Sequence, residues 1–274
     1  MTIKDTIRKY TNELKLVTHI PAKEVEILML HLLEKNTIWL HLNYNVEFEK
    51  EKELEVLVKK RATNYPLEYI INKASFYGEM FIVKEGVLIP RPETEILVEN
   101  AIEILKDKKE IKVLEIGTGS GIISVMLAML IENIKIIAVD INEKALDLAK
   151  QNAIKHGVEN KIEFRLSNLY ENVQENDIFM TISNPPYIAN NYILPTNVKY
   201  EPSNALFGGV VGDELLKDII KATSEKKIPY LLCEMGYDQK TPLENYFKEF
   251  NVDSFSFYKD YESFDRGFTL KFKN

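Results

Sequence analysis

Hydrophobic and polar positions follow two rhythms along this chain. Over residues 1–72 apolar side chains recur at helical spacing. Val25, Leu28, Met29, Leu32 and Leu33 fall on one face of residues 22–33, and Leu54, Leu57 and Val58 form a narrow stripe in the strongly charged stretch 49–61. Pro21 is placed to open the first of these helices, and Asn36 or Thr37 to cap a short turn carrying Trp39 and Leu40. The pattern predicts a small helical bundle, too polar to hold a large core. Between residues 72 and 88 the rhythm changes. Phe76-Tyr77-Gly78 and Met80-Phe81-Ile82-Val83 flank a glycine-containing bend, which predicts a β-hairpin linking two domains, 1–72 and 73–274.

A proline-braced segment, Leu88-Ile89-Pro90-Arg91-Pro92-Glu93-Thr94-Glu95, leads into a predicted helix over 93–105 and holds Arg91 on stiff, extended backbone. From Ile111 onward short apolar runs alternate with amphipathic stretches, the sign of an α/β fold with a parallel sheet covered by helices on both faces. Strands are expected over 112–116, 134–140, 162–166, 178–183 and 230–233, with helices over 143–156 and 215–226. Residues 254–258 and 267–272 are expected to pair antiparallel at one edge, and His156 to stand at a helix C-terminus.

Composition narrows the function classes. The 274 residues carry a net charge of −7 and show no basic stripe, which argues against duplex binding and suits a small molecule or a protein partner with a basic contact surface. No apolar run approaches the roughly 20 residues that span a bilayer, and the first residues lack the apolar core of a signal peptide. The single cysteine, Cys233, lies inside an apolar run and reads as a buried structural thiol in a reducing, cytoplasmic protein. His19, His31 and His41 lack metal-ligand spacing, and no metal is expected.

The candidate chemistry gathers at strand ends. Gly117-Thr118-Gly119-Ser120-Gly121 follows the first of these strands and opens a helix, so its backbone can turn tightly and approach a ligand. Asp140 ends the next strand, nineteen residues beyond Gly121, where a carboxylate can bind both hydroxyls of a ribose. The Gly-x-Gly-x-Gly spacing departs from the dinucleotide pattern. Glu115, two residues before the first glycine, suits a cationic sulfonium and ammonium better than a pyrophosphate, favouring methyl transfer over hydride transfer. Ser167-Asn168-Leu169 is placed either to meet an adenine edge or to form a plain turn. Asn184-Pro185-Pro186-Tyr187 ends an apolar strand in a rigid corner bearing an amide and an aromatic ring. On these residues a nicotinamide-dependent oxidoreductase and a non-catalytic cofactor-binding module are the more distant alternatives.

Glu115-Ile116-Gly117-Thr118-Gly119-Ser120-Gly121, Asp140 and Asn184-Pro185-Pro186-Tyr187 resemble the seven-stranded, Rossmann-like methyltransferases that use S-adenosylmethionine (SAM). With Pro66-Leu67-Glu68-Tyr69-Ile70, Phe76-Tyr77-Gly78, the proline-braced segment and Tyr200-Glu201-Pro202, the chain is similar to the peptide chain release factor glutamine methyltransferases (HemK/PrmC family). The resemblance is specific from Pro66 to Asn204. It implies methylation of the side-chain N5 of the glutamine in the Gly-Gly-Gln loop of release factors, giving S-adenosylhomocysteine. It also implies cofactor contacts from Glu115, Gly117, Thr118, Gly119, Ser120, Gly121, Asp140, Asn168, Leu169 and Asn184. Members of the family often carry Asp at position 168 and an aromatic residue at 169, so Asn168 and Leu169 are departures. The nearest alternative is a nucleic-acid amine methyltransferase acting on adenine N6 or guanine N2, since the same tetrapeptide can hold such an amine.

For an amide substrate, Asn184 Oδ1 and the Pro185 carbonyl would each accept one N–H, Pro186 would stiffen the corner, and Tyr187 would pack on the flat amide. The long segment 188–212 is expected to act as a partner-contacting lid, and the helical bundle to grip the release factor. The enzyme is expected to act as a monomer with no stable nucleic-acid partner and no membrane attachment.

Overall fold

The computed structural model describes residues 1–273 and divides into two compact units, Met1–Lys73 with Leu194–Tyr200, and Ala74–Ile193 with Glu201–Asn274. The first unit is helical: α1 (Ile3–Leu14), α2 (Pro21–Leu33), α3 (Thr37–Leu42), α4 (Glu51–Ala62) and α5 (Leu67–Ile71). In α1, Ile3, Ile7, Tyr10 and Leu14 bury one face at three- and four-residue spacing, and Thr2 caps its start by accepting the Asp5 N–H. Pro21 opens α2, and Asn36 Oδ1 caps α3 by accepting from Trp39 N at 2.9 Å. Of the stripe expected along α2, Val25, Leu28 and Met29 are fully buried while Leu32 and Leu33 are half-buried. Between α2 and α4 lies a buried ion pair. Arg61 Nε and Nη2 donate to the two oxygens of Glu24 at 2.6 and 3.1 Å. Tyr200 joins this unit by setting its ring edge-on to Tyr65 and donating its hydroxyl to Thr63 O at 3.1 Å.

Apart from its first residue, Lys73, the expected hairpin falls in the second unit: β1 (Lys73–Phe76) and β2 (Glu79–Ile82), turned by left-handed Tyr77 and Gly78. There follow α6 (Thr94–Leu105), β3 (Ile111–Ile116), α7 (Ile122–Leu130), β4 (Ile134–Asp140), α8 (Glu143–Lys155), β5 (Ile162–Leu166) and β6 (Met180–Ser183). The chain continues through β7 (Ile188–Ala189), β8 (Phe207–Gly209), α9 (Glu214–Glu225), β9 (Tyr230–Glu234), α10 (Lys240–Phe247), β10 (Val252–Lys259) and β11 (Asp265–Phe272). Seven strands form one sheet in the order β10-β11-β9-β6-β3-β4-β5, parallel except that β11 runs antiparallel to both β9 and β10.

The near-continuous apolar strands are explained by cover on both faces. Along β4, Ile134, Ile136 and Ala138 point into a core shared with α6 and α7, while Ile137 and Val139 point into a second core shared with α9 and α10. The β6 ladder starts at Met180 rather than at Ile178, although Phe179 N already donates to Lys112 O. His156 caps α8 and packs against the Phe81 ring at 4.7 Å. Cys233 is buried, as its apolar run predicted.

Candidate active site

Register assembles the site. Ile116 lies opposite Val139 on one side and Ser183 on the other, Ser183 lies opposite Cys233, and Asp140 lies opposite Leu166. The residues just beyond this row, Gly117, Asn184, Glu234 and Ser167, with Asp140 itself, therefore emerge together along the carboxyl edge of the sheet. The chain passes from β3 outward to β4 and β5, then returns to place β6 on the other side of β3. That reversal of strand order is where open α/β sheets form ligand crevices. Two adjoining recesses lie there and share Leu88, Gly117, Gly119 and Asn184. One also borders Glu115, Arg91 and Thr94, and the other Asp140, Asn168, Leu169 and Pro186.

The glycine loop is fixed from below. Gly117 N and Thr118 N both donate to Val139 O, at 2.9 and 3.0 Å. Gly117 and Gly119 adopt φ of +71° and +54°, and a Cβ on either would meet nothing within 4 Å, so both leave open space on the ligand side. Gly121 serves another purpose. It borders neither recess, and a Cβ there would lie 2.9 Å from that of Ala149, so it lets α7 pack closely on α8 instead of touching a ligand. Ser120 is buried, and its carbonyl accepts from Asn152 Nδ2 at 2.8 Å. Asn152 also pairs with both backbone groups of Ile82, tying the hairpin to the loop.

Glu115 is 1% exposed. Its Oε2 accepts from Thr118 Oγ1 at 2.8 Å and from the Ser124 hydroxyl, whereas Oε1 is buried with no partner among the described residues. Burial pushes its carboxyl up to about 7, against the pull of the two hydroxyls. A buried carboxylate oxygen without a donor, beside an open glycine loop, is chemically fitted to a cationic ligand group. Asp140 accepts the Gly119 and Asn142 N–H groups, both at 2.9 Å. Burial raises its pKa despite them. A carboxylate has about four lone-pair sites, so accepting capacity remains for hydroxyl donors. Asn168 Nδ2 is occupied by Glu171 Oε1 at 2.9 Å, leaving Oδ1 as an acceptor, and Leu169 beside it takes a left-handed φ of +47°.

At the elbow, Asn184 Nδ2 donates to Thr94 Oγ1 at 3.0 Å, and Oδ1 has no partner among the described residues. No described residue donates to the Pro185 carbonyl either. Tyr187 departs from the expected role. It does not border the recesses. Its ring packs against the second core, its hydroxyl donates to Glu234 Oε1 at 2.8 Å, and its carbonyl accepts from Gln239 Nε2 at 2.9 Å. Tyr187 thus anchors the elbow because its phenol finds a buried acceptor there, and burial raises the pKa of that phenol strongly. Pro185 is likewise buried, while Pro186 borders the recess. Arg91 is held by an ion pair to Glu201, whose other oxygen accepts from Ile89 N at 3.0 Å.

Thr94, Glu234 and Asn152 are site-supporting residues whose roles no local motif pointed out, although Thr94 itself stands in the proline-braced segment. Each acts on a partner seventy or more residues away or closes a contact only the fold creates.

Residues 93–198 match the family described as methyltransferase small domain, and residues 5–71 match the PrmC N-terminal domain. The release factor glutamine methyltransferase of Fusobacterium nucleatum is 36% identical over 255 residues, covering 90% of this chain and 72% of that protein. The release factor glutamine methyltransferase of Aquifex aeolicus is 34% identical over 274 residues, covering 96% and 93%. Among solved structures, the hMettl16 catalytic domain in complex with MAT2A 3'UTR hairpin 6 superposes with a TM-score of 0.56 at 15% identity, over 69% of this chain and 74% of that one. That last likeness is one of fold.

Proposed function

The chain belongs to the release factor glutamine methyltransferase family, and from that premise we propose that it methylates the side-chain N5 of the glutamine in the Gly-Gly-Gln loop of peptide chain release factors. The observation that carries this reading is the amide of Asn184, whose nitrogen is engaged by Thr94 and whose oxygen is left free beside the glycine loop. S-adenosylmethionine, when bound, supplies the activated methyl group and leaves as S-adenosylhomocysteine.

The chain's own residues divide the work. Glu115 Oε1 takes the ammonium charge, and Thr118 and Ser124 hold the other oxygen of that carboxylate in place. Gly117 and Gly119 admit the ligand close to backbone, with Ser120 seating the loop on Asn152. Asp140 accepts the ribose hydroxyls, Asn168 Oδ1 an adenine N–H, and Leu169 lines the adenine wall. An amide nitrogen is a weak nucleophile because its lone pair is delocalised into the carbonyl. Asn184 Oδ1 and the Pro185 carbonyl each accept one of its N–H groups, which orients the nitrogen and favours the positive charge that develops on it. Pro185 and Pro186 make the elbow stiff, so little entropy is lost in holding that geometry. No strong general base is required, since an N-methylated amide cation loses its extra proton readily.

The nucleic-acid amine reading loses ground to the curated relatives above, and the enzyme acts as a monomer without a stable nucleic-acid partner. Its substrates are translation factors, which places its work in the cytoplasm. Asn184→Ala should lower the rate on whole release factor by on the order of 10²- to 10³-fold, as for loss of one charge-stabilising partner. SAM affinity measured by calorimetry should change little. An Asn184→Ala enzyme as fast as the parent would remove this reading.

A further inference from the structure

An asparagine side chain is nearly the same shape with its oxygen and nitrogen exchanged, so packing alone does not choose which end faces the cleft. The choice falls to hydrogen-bond polarity. Thr94, the first residue of α6, is 1% exposed, and its hydroxyl donates to Glu234 Oε2 at 2.7 Å. Glu234, at the end of β9, is also 1% exposed; burial raises its pKa, the Thr94 and Tyr187 hydroxyls and the Arg266 charge oppose that rise, and in its ionised form it offers only acceptors. The single hydroxyl proton of Thr94 is thereby committed. What Thr94 Oγ1 has left for Asn184 is a lone pair, and the Asn184 end that meets it at 3.0 Å must be the NH₂ group. Oδ1 is turned the other way, toward the shared recess. The second oxygen of Glu234 takes the Tyr187 hydroxyl at 2.8 Å. One buried carboxylate therefore ties down the two ends of the Asn184–Tyr187 elbow, Tyr187 directly and Asn184 through Thr94.

We infer that Thr94 and Glu234 are positioning residues that set the polarity of the Asn184 amide and so keep its oxygen toward the substrate. This rests on the reading of Asn184 as the acceptor for the glutamine N–H groups. Without the Thr94 hydroxyl, the NH₂ group would lie against a methyl with no partner, and the amide turns over to put that group in the open cleft. A donor then faces the donors of the substrate amide. Replacing Glu234 by glutamine acts at the other end of the relay. A carboxamide can donate to Thr94, which frees the Thr94 proton for Asn184 Oδ1 and favours the same overturned amide.

The test measures methylation of whole release factor by Thr94→Val, Thr94→Ser and Glu234→Gln, each alone and in an Asn184→Ala background, with SAM calorimetry as the check that each variant is folded. Leaving a buried donor unpaired is worth roughly a factor of ten in population, so Thr94→Val and Glu234→Gln should each lower kcat roughly tenfold. KM for release factor and the SAM Kd should move little, and Thr94→Ser should retain the parent rate. In the Asn184→Ala background, Thr94→Val should cost nothing further. A second readout is the Asn184 side-chain amide in protein labelled with ¹⁵N-asparagine, where the hydrogen-bonded proton should exchange slowly in the parent and quickly in Thr94→Val. A slowed Asn184→Ala enzyme alongside a full-speed Thr94→Val would overturn this inference alone. So would a Thr94→Val loss equally large with and without Asn184. An undiminished Asn184→Ala rate would overturn the acceptor reading, and this inference with it.

Discussion

Glu115 carries an electrostatic debt that a ligand can discharge. Its carboxyl is raised from 4.5 to about 7 by burial, so the folded, ligand-free protein holds a proton that the unfolded chain releases between those values. The sign follows from that difference. Stability from this group is fully present below pH 4.5 and is lost as pH rises through 7. At 1.36 kcal/mol per unit the loss amounts to about 3 kcal/mol. Urea unfolding of the ligand-free protein should therefore show the parent falling relative to Glu115→Gln by about that amount from pH 4.5 to above 7. Saturating SAM should flatten the difference, because an ammonium beside the carboxylate favours its charged form. Parallel pH profiles for the two proteins would rule this out. Glu115 was legible in the chain because it stands two residues before a glycine loop. The roles of Thr94 and Glu234 were not, although Thr94 stands in the proline-braced segment, because their value lies in being bonded to one another, Thr94 also to Asn184 and Glu234 also to Tyr187.

Secondary elements turn such residues into a site, and the glycine loop joining β3 to α7 shows how differently its three glycines serve. Gly121 has φ +82° and would place a Cβ 2.9 Å from Ala149 Cβ and 3.0 Å from its Cα. Gly121→Ala should thus destabilise by about 2 to 4 kcal/mol, combining left-handed strain with overpacking between α7 and α8. At Gly117 the φ is +71° with free space around the Cβ, so alanine there should cost only about 1 to 2 kcal/mol of stability. Its main effect should be on SAM affinity. Denaturant unfolding and calorimetry on the two variants separate these roles, and equal stability of Gly121→Ala with the parent would refute the packing role. The Gly-x-Gly-x-Gly spelling does not distinguish them. Which glycine meets a neighbouring helix depends on where α8 lies, and α8 is reached only after β4.

Across the two units, the division of labour we propose assigns chemistry to residues 74–193 and 201–274 and recognition of the release factor to the helical unit. Removing residues 1–65 should leave SAM affinity intact. The rate on whole release factor should fall at least roughly tenfold, since remote binding energy is spent on placing the reacting group. A short peptide carrying the Gly-Gly-Gln loop should be methylated equally by both forms. Full activity of the truncated enzyme on whole release factor would refute the assignment.

Local chemistry along the chain was enough to specify the helical unit, the alternation of strands and helices, the glycine loop with its two carboxylates and the proline-braced amide. Each of these is a matter of side-chain period, backbone torsion or neighbouring residues, and such effects act within a few positions. Pairing between distant strands settled the rest. Register brought Gly117, Asp140, Asn184 and Glu234 to one row, moved Tyr187 from the cleft to an anchoring place beneath it, and set Thr94 between an amide and a carboxylate. A hydrogen bond between residues 90 or 140 positions apart has no trace in local pattern, because its energy depends on a geometry that only the folded sheet supplies.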